Sequence, residues 1–314
     1  MQCPICAEAM AVVRRVYDDR YGYPGLFPLA RCPACGHKAL ALRDMDATAL
    51  CELYTRYYPR GSFDLADFSP APEARGFRGW LGGMRCAAYL WVPAGVRVLD
   101  IGCGVGATLA YHSARGCEAH GVEADENVRH IAQALKLEVQ IGLFDPELYA
   151  PESFDYVTLD QVVEHFPDPV ATLRGIARVL KPGGVVVAST PNSGGWGARI
   201  FGRRWINWHA PYHLQHFSRR SMELAAGMAG LELVEARTLT SSEWLYYQWV
   251  HLVTCPRQGV ASPFWSPGGV TGKGARPVLA LLRLVHRTKV NHLLTRVADL
   301  CGAGDNSLFF LRKP

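Results

Sequence analysis

The stretch VRVLDIGCGVG, residues 96–106, constrains the fold of this 314-residue chain more than any other segment. Its apolar half reads as a buried strand that runs straight into Gly102, Gly104 and Gly106, and the stretch ATLAYHSARG that follows reads as a helix. Glycines let a backbone turn tightly and approach a ligand closely, and the helix N-terminus behind them offers free amides. A second strand, EAHGVEAD, ends at Glu123 about 20 residues further on, where a carboxylate accepts hydrogen bonds from ribose hydroxyls. Strand, glycine turn, helix, strand and acid together predict an α/β domain that holds a nucleotide-type cofactor.

That geometry serves NAD and S-adenosylmethionine alike, and two features separate them. Asp100 lies immediately before the glycines, where its charge suits a cationic amino group better than a pyrophosphate, and the glycines read GxGxG rather than GxGxxG. Both favour S-adenosylmethionine. Further along, FDYVTLDQVVEHFPDP gives another strand and its C-terminal loop, ATLRGIARVL a helix, and LKPGGVVVASTPN a turn and a further strand. With VLDIGCGVG and VEAD, these segments resemble, in order across residues 96–192, the successive motifs of class I S-adenosylmethionine-dependent methyltransferases.

The resemblance implies a Rossmann-like, seven-stranded α/β sheet with helices on both faces, its last strand (here SLFFLRK) antiparallel to the rest. It places Asp100 and Gly102 near the methionine moiety, Glu123 at the ribose, and Leu143 and Phe144 at the adenine. Cys103, Gly104, Gly106, Ala124, Asp160 and Gln161 complete the expected cofactor-binding set. Many relatives carry an acid where this chain has Leu143, which leaves Asp145 or backbone groups to meet the adenine.

Two cysteine pairs, Cys3-Pro-Ile-Cys6 and Cys32-Pro-Ala-Cys35, open the chain. A Cys-x-x-Cys turn aims two thiolates at one point, and two such turns complete the tetrahedron that zinc prefers. A closed four-thiolate shell is structural, and metal binding supplies folding energy that so short a segment cannot draw from its own core. The other cysteines, Cys51 among them, are scattered and read as small buried fillers. The expected organisation is a zinc ribbon over 1–43, a linker with lid helices over 44–92, and the methyltransferase domain over 93–314. EARGFRGWLGGMRCAAYLW reads as a lid helix, and an insertion over 241–301 as two helices, EWLYYQWVHLV and PVLALLRLVHRTKVNHLLTRVADL.

Beyond the LKPGGVVVASTPN strand, WINWHAPYHLQHFSRR gathers His209, His213 and His216 beside the crevice where open α/β sheets bind ligands. Their spacings suit a metal only on a helix, and Pro211 argues against an undisturbed one. If the acceptor is a hydroxyl, a general base contributes roughly 10² to 10⁴ in rate, and histidine is the usual choice. PYHLQHFS resembles the corresponding region of zinc-ribbon sugar methyltransferases of bacterial deoxysugar and surface-polysaccharide pathways. That resemblance implies His213 as base, with Tyr212 and His216 orienting it or the acceptor; His165, in VVEHF, is a second candidate.

No apolar run approaches the ~20 residues of a membrane span, and MQCPICAEAM has no secretory-signal pattern, so a cytoplasmic, reducing setting is expected. Residues 256–314 carry nine Lys or Arg against Asp299 and Asp305, a basic segment that reads as a solvated helix face or as a surface for an anionic partner such as a phosphorylated substrate, a membrane surface or nucleic acid. The leading expectation is methyl transfer to a hydroxyl, or to a carbon, of a sugar, glycan precursor or other small metabolite. An RNA methyltransferase using the ribbon for substrate binding ranks below it, because the ribbon region is not strongly basic. A non-catalytic cofactor-binding scaffold is the third reading, and the intact Asp100, glycine turn and Glu123 argue against it.

Overall fold

The computed structural model describes residues 1–42, 53–57, 64–74, 76–265 and 275–314; Cys51 and most of the expected linker lie outside the described residues. Three short antiparallel strands come first: β1 (Ala11–Val16), β2 (Phe27–Arg31) and β3 (Lys38–Leu40). The Cys-x-x-Cys turns precede β1 and join β2 to β3, which brings all four cysteines to one end of this small sheet.

The segment expected as one lid helix is instead a short helix, α1 (Gly76–Gly82), followed by 3-10 turns at Met84–Cys86 and Ala88–Trp91. Gly83 is the reason. It adopts φ +69°, and a Cβ there would meet Thr240 O at 2.0 Å, so the chain breaks where it passes closest to the rest of the molecule.

The core follows as β4 (Arg97–Ile101), α2 (Ala107–Ser113), β5 (Glu118–Glu123), α3 (Arg129–Leu135), β6 (Glu138–Ile141), β7 (Phe154–Asp160), α4 (Pro169–Val179) and β8 (Leu180–Pro191). After α5 (Trp196–Phe201) and the two-residue β9 (Gln215–His216) come α6 (Arg219–Met228) and β10 (Glu232–Leu239). The helices α7 (Ser242–Thr254), α8 (Ala275–Arg287) and α9 (Val290–Leu300) then lead to the last strand, β11 (Asn306–Arg312).

Seven strands form one sheet in the order β10-β11-β8-β7-β4-β5-β6. All neighbours pair in parallel except β11, which runs antiparallel to both β8 and β10. The buried runs of β4, β7 and β8 are apolar because helices cover the sheet on both faces. Leu173 and Ile176 of α4 and Met222 and Ala225 of α6 pack on Leu99, Val157, Val186 and Phe309, while Ala88 and Trp91 cover Val187 and Leu308 on the opposite face. Each fully buried aliphatic or aromatic side chain contributes about 1.5–3 kcal/mol, and this interface is where the core's stability concentrates.

Two features depart from the expected plan. The helix expected over 277–300 is two helices, α8 and α9, separated by Lys289 at φ +69°. The small N-terminal sheet gains its fourth strand from β9, which pairs Lys38 with His216 and Ala39 with Gln215. The histidine-rich segment is thereby stitched to the cysteine-bearing sheet.

Candidate active site

Chain connectivity runs from β4 to β5 and β6 on one side of the sheet, then returns to β7 and β8 on the other. The crevice at the C-terminal ends of β4 and β7 is therefore the switch point at which such sheets bind ligands. The glycine turn closes it from below. Gly102 and Cys103 both donate their N–H groups to Val122 O, at 2.8 and 3.1 Å, which ties the turn to β5. Gly102 (φ +80°) has no room for a side chain, since a Cβ would lie 2.4 Å from Val162 Cγ2. Gly104 (φ +53°) has open space where a Cβ would stand, which leaves its backbone open to a ligand.

Asp100 is buried beneath this turn. Thr158 donates to Oδ1 at 2.6 Å and Thr108 to Oδ2, and burial raises the carboxyl to about 6 against the pull of those hydroxyls. Glu123, half-buried at the end of β5, accepts Gly104 N–H at 2.8 Å and Asp125 N–H at 2.9 Å, so its carboxylate spans the glycine turn and the strand end. Ala124 is exposed beside it and Cys103 is buried under the turn. On the far rim Leu143 is 82% exposed and Phe144 is half-buried against Gly175 and Tyr149, giving the crevice an apolar lip. Asp145 is occupied in accepting Glu147 N–H at 3.0 Å.

Asp160 closes β7. Burial, followed by the charge of Asp100, raises its carboxyl to about 7, and it accepts Ala88 N–H at 3.2 Å. Gln161 adopts φ +59° and donates from Nε2 to Ser189 Oγ (2.8 Å) and Asn306 Oδ1 (2.9 Å), fastening the strand end to β8 and β11.

The histidines cluster beyond the end of β7. His165 ends a 3-10 turn just after β7, and its Nδ1 lies 2.9 Å from Tyr212 O. A carbonyl only accepts, so Nδ1 carries the proton and Nε2 keeps its lone pair. His213 repeats the arrangement with Asn207 O at 3.0 Å, but its Nε2 faces His209 Nδ1 at 3.3 Å and Glu164 Oε1 at 3.9 Å. The His165 and His213 rings meet edge-on with centroids 4.8 Å apart. Tyr212 and His216 are fully buried: Tyr212 packs edge-on against Tyr21 of the N-terminal region, and His216 packs against Trp205 and Trp208. The segment is built of turns and a strand, with no helix to align His209, His213 and His216 as a ligand row.

Desolvation lowers His165 to about 4 and His216 to about 3, and pushes His209 and His213 well below the ordinary imidazole range. All four are neutral at pH 7. Glu164 escaped the sequence reading. It is fully buried, accepts Thr190 Oγ1–H at 2.9 Å through Oε2, leaves Oε1 without a hydrogen-bond partner beside His213, and is raised by burial to about 8. Its signal was an acid next to His165 inside an apolar loop. Glu164, His165 and His213 each bring one metal-ligating atom to within 4.8 Å of the others.

The four N-terminal thiols lie together, with Sγ separations of 3.6 Å (Cys3–Cys35), 3.4 Å (Cys6–Cys32) and 3.5 Å (Cys6–Cys35). These are free thiols, and the spacing is close to the edge of about 3.8 Å of a tetrahedron with Zn–S near 2.3 Å. Burial raises Cys3 and Cys35; Cys32, although buried, is held down at about 7 by the Cys35 backbone N–H and the Cys6 thiol. Crowded thiols with one already near thiolate are what a structural zinc fits. His37 stands outside this set, hydrogen-bonded through Nε2 to Gln215 Oε1 at 2.8 Å.

A sheet of this order, with a glycine turn and an acid at the ends of β4 and β5, defines a class I S-adenosylmethionine-dependent methyltransferase. The chain matches the methyltransferase domain family over residues 54–236, more than half its length, and belongs to it. A ubiquinone biosynthesis O-methyltransferase of Pseudomonas entomophila (strain L48) is 34% identical over 160 residues, 47% of this chain and 69% of that protein. Another, of Xanthomonas euvesicatoria pv. vesicatoria (strain 85-10), is 32% identical over 164 residues, 48% of this chain and 69% of that protein. Among solved structures, a SAM dependent methyltransferase from Archaeoglobus fulgidus aligns with 85% of this chain and 100% of its own at 16% identity, TM-score 0.45.

Proposed function

We propose that this methyltransferase transfers its methyl group to a hydroxyl oxygen of a small-molecule acceptor, a sugar, glycan precursor or comparable metabolite, with His165 taking the proton. The observation that carries the reading is the His165 hydrogen bond to Tyr212 O, which fixes the tautomer and leaves Nε2 as an acceptor on a partly exposed residue at the end of β7. His165 is preferred over His213 because His209 faces the His213 lone pair. The names of the curated relatives, O-methyltransferases, support oxygen over carbon as the acceptor atom.

S-adenosylmethionine, when bound, supplies a methyl carbon already activated by its sulfonium. The protein's part is alignment, which accounts for about 7–11 kcal/mol in favourable cases, and proton removal. Gly104 and Glu123 would hold the cofactor, Asp100 stiffens the turn beneath it, and Leu143 and Phe144 would offer an apolar surface to the adenine. The acceptor oxygen would take the methyl carbon as the carbon–sulfur bond breaks, the bonding pair would leave with S-adenosylhomocysteine, and the acceptor's proton would pass to His165 Nε2. His213 and Glu164 stand behind to stabilise the imidazolium, and Tyr212 and His216 keep the wall rigid. Cys3, Cys6, Cys32 and Cys35 hold a structural zinc in a ribbon over residues 1–43, and residues 93–314 form the catalytic domain. No helix among the described residues is long and apolar enough to cross a membrane; the exposed aliphatic and basic faces of α8 and α9 fit peripheral contact with an anionic bilayer.

The test is calorimetric titration with S-adenosylhomocysteine, followed by transfer of labelled methyl to a panel of sugars and phenols. Glu123→Ala is expected to abolish cofactor binding. His165→Ala is expected to keep it and lose about 10²-fold or more in kcat. Absence of cofactor binding by the folded wild type, or full activity in His165→Ala, overturns the reading.

A further inference from the structure

A cavity of about 930 Å³ opens between the N-terminal sheet and the catalytic core, away from the glycine turn. Its apolar floor is Trp208, Phe217 and Phe309, and its walls carry Arg14, Arg31, Lys38, Arg199 and Arg219. Among the described residues none of these five cations is paired with a carboxylate, while a sixth on the wall, Arg237, is paired with Glu235. The acid on the rim, Asp299, is committed to Arg296 at 2.8 Å and to Thr240. A fold left to itself avoids this arrangement. Arg31 and Lys38 sit directly opposite each other on β2 and β3, and like charges so placed destabilise a sheet.

Lys38 is also held in place. Its Nζ donates to Ser193 O at 2.7 Å and Ser193 Oγ at 3.0 Å, leaving one of three donors unused, and it lies 5.7 Å from the Trp208 ring centre, with the Arg14 guanidinium 5.6 Å from the same ring. We propose that this cavity is a binding site for a phosphoryl or diphosphoryl oxyanion, gripped by Lys38 and by the guanidinium groups of Arg14, Arg31 and Arg199. Planar guanidinium forks suit such oxygens, and a fixed ammonium supplies the point charge. Consistent with crowding that an anion relieves, burial together with Arg31, Arg14 and Arg199 lowers Lys38 to about 8.

The cavity shares a wall with the histidine cluster. Lys38 pairs across β3 and β9 with His216, whose ring centre is 6.2 Å from that of His213. The anion is therefore carried either by the methyl acceptor itself or by a separate phosphate compound bound behind it. The proposal stands on the cavity's charge and does not depend on which oxygen is methylated.

Titration of the full chain with inorganic pyrophosphate, followed by calorimetry and tryptophan fluorescence, tests it. Saturable binding is expected, weakened about tenfold or more in Arg31→Glu and Arg199→Glu and by added salt, since removing one charge-assisted hydrogen bond costs at least that factor. Both substituted side chains are exposed, and unchanged S-adenosylhomocysteine affinity in the variants shows that the fold is kept. Glucose 1-phosphate binding more tightly than inorganic phosphate identifies an organic carrier, and the reverse order a free anion. Absence of saturable pyrophosphate binding at millimolar concentration, or binding that the charge reversals leave unchanged, overturns the proposal whatever the outcome of the methyl-transfer assay.

Discussion

Glu164 holds one oxygen on Thr190 and keeps the other, unmatched, 3.9 Å from His213 Nε2. Burial keeps this carboxyl protonated to about 8, and His213 is neutral as well, so at pH 7 the contact is not an ion pair. Two consequences share one sign analysis. The folded chain holds this proton more tightly than the unfolded chain, so the stabilisation is full below the ordinary value of 4.5 and is lost as pH rises through about 8. Thermal melts of wild type and Glu164→Gln from pH 6 to 9 are therefore expected to show the wild type losing Tm relative to the variant. In catalysis the ionised form is the useful one, because a carboxylate beside the cluster stabilises a forming imidazolium. The wild-type kcat is expected to rise with pH through about 8 and the Glu164→Gln profile to be flat there; a rise of equal size in the variant removes Glu164 from the site.

At the scale of elements, α8 and α9 are the part of the molecule that its own core does not explain. Leu281 and Leu284 of α8 and Leu293, Leu294, Val297 and Leu300 of α9 are exposed, and Arg283, Arg287 and Lys289 stand among them with no acid on α8. So large an apolar area beside cations is costly in water and well matched to the interface of an anionic bilayer. Co-sedimentation with phosphatidylglycerol vesicles is expected, with little on phosphatidylcholine, and Leu293→Ser/Leu294→Ser is expected to release most of the protein. Equal recovery of the double variant with the vesicles rules out this face.

At the scale of the whole molecule, one of the links between the N-terminal region and the catalytic core is the pairing of β3 with β9, beside others such as Arg20 to Ile206 O and Ser218 to Cys35 O. The cysteine cluster anchors β2 and β3, and β9 places Gln215 and His216 beside the wall of the active site. Asp100 and Glu123 belong to strands of the other sheet, and Gly104 to the turn that leaves β4. Removing the metal with a chelator, or Cys32→Ser, is expected to lower Tm and abolish methyl transfer while S-adenosylhomocysteine affinity stays within about twofold, because zinc binding energy is folding energy for the small sheet, whereas Gly104 and Glu123 are held by β4 and β5. Metal analysis that finds no zinc in active protein sinks this expectation.

The sequence by itself determined what is local and periodic. The strand into Gly102 and Gly104, the acid ending β5 and the two Cys-x-x-Cys turns are each written in short contiguous segments whose backbone conformation admits few alternatives, while the antiparallel last strand was implied by the family resemblance. The breaks at Gly83 and Lys289 went unread: the Gly82-Gly83 pair is a turn signal that marks the first, whereas only the turn between α8 and α9 marks the second. Tertiary structure alone decided the partnerships across distance. Tyr212 O selects the His165 tautomer from 47 residues away, β9 crosses to the cysteine-bearing sheet, and Arg31, Lys38 and Arg199 meet around one cavity. Charges, lone pairs and unmatched carboxyls take their meaning from what faces them, and what faces them is set by the path of the chain rather than by neighbours in sequence.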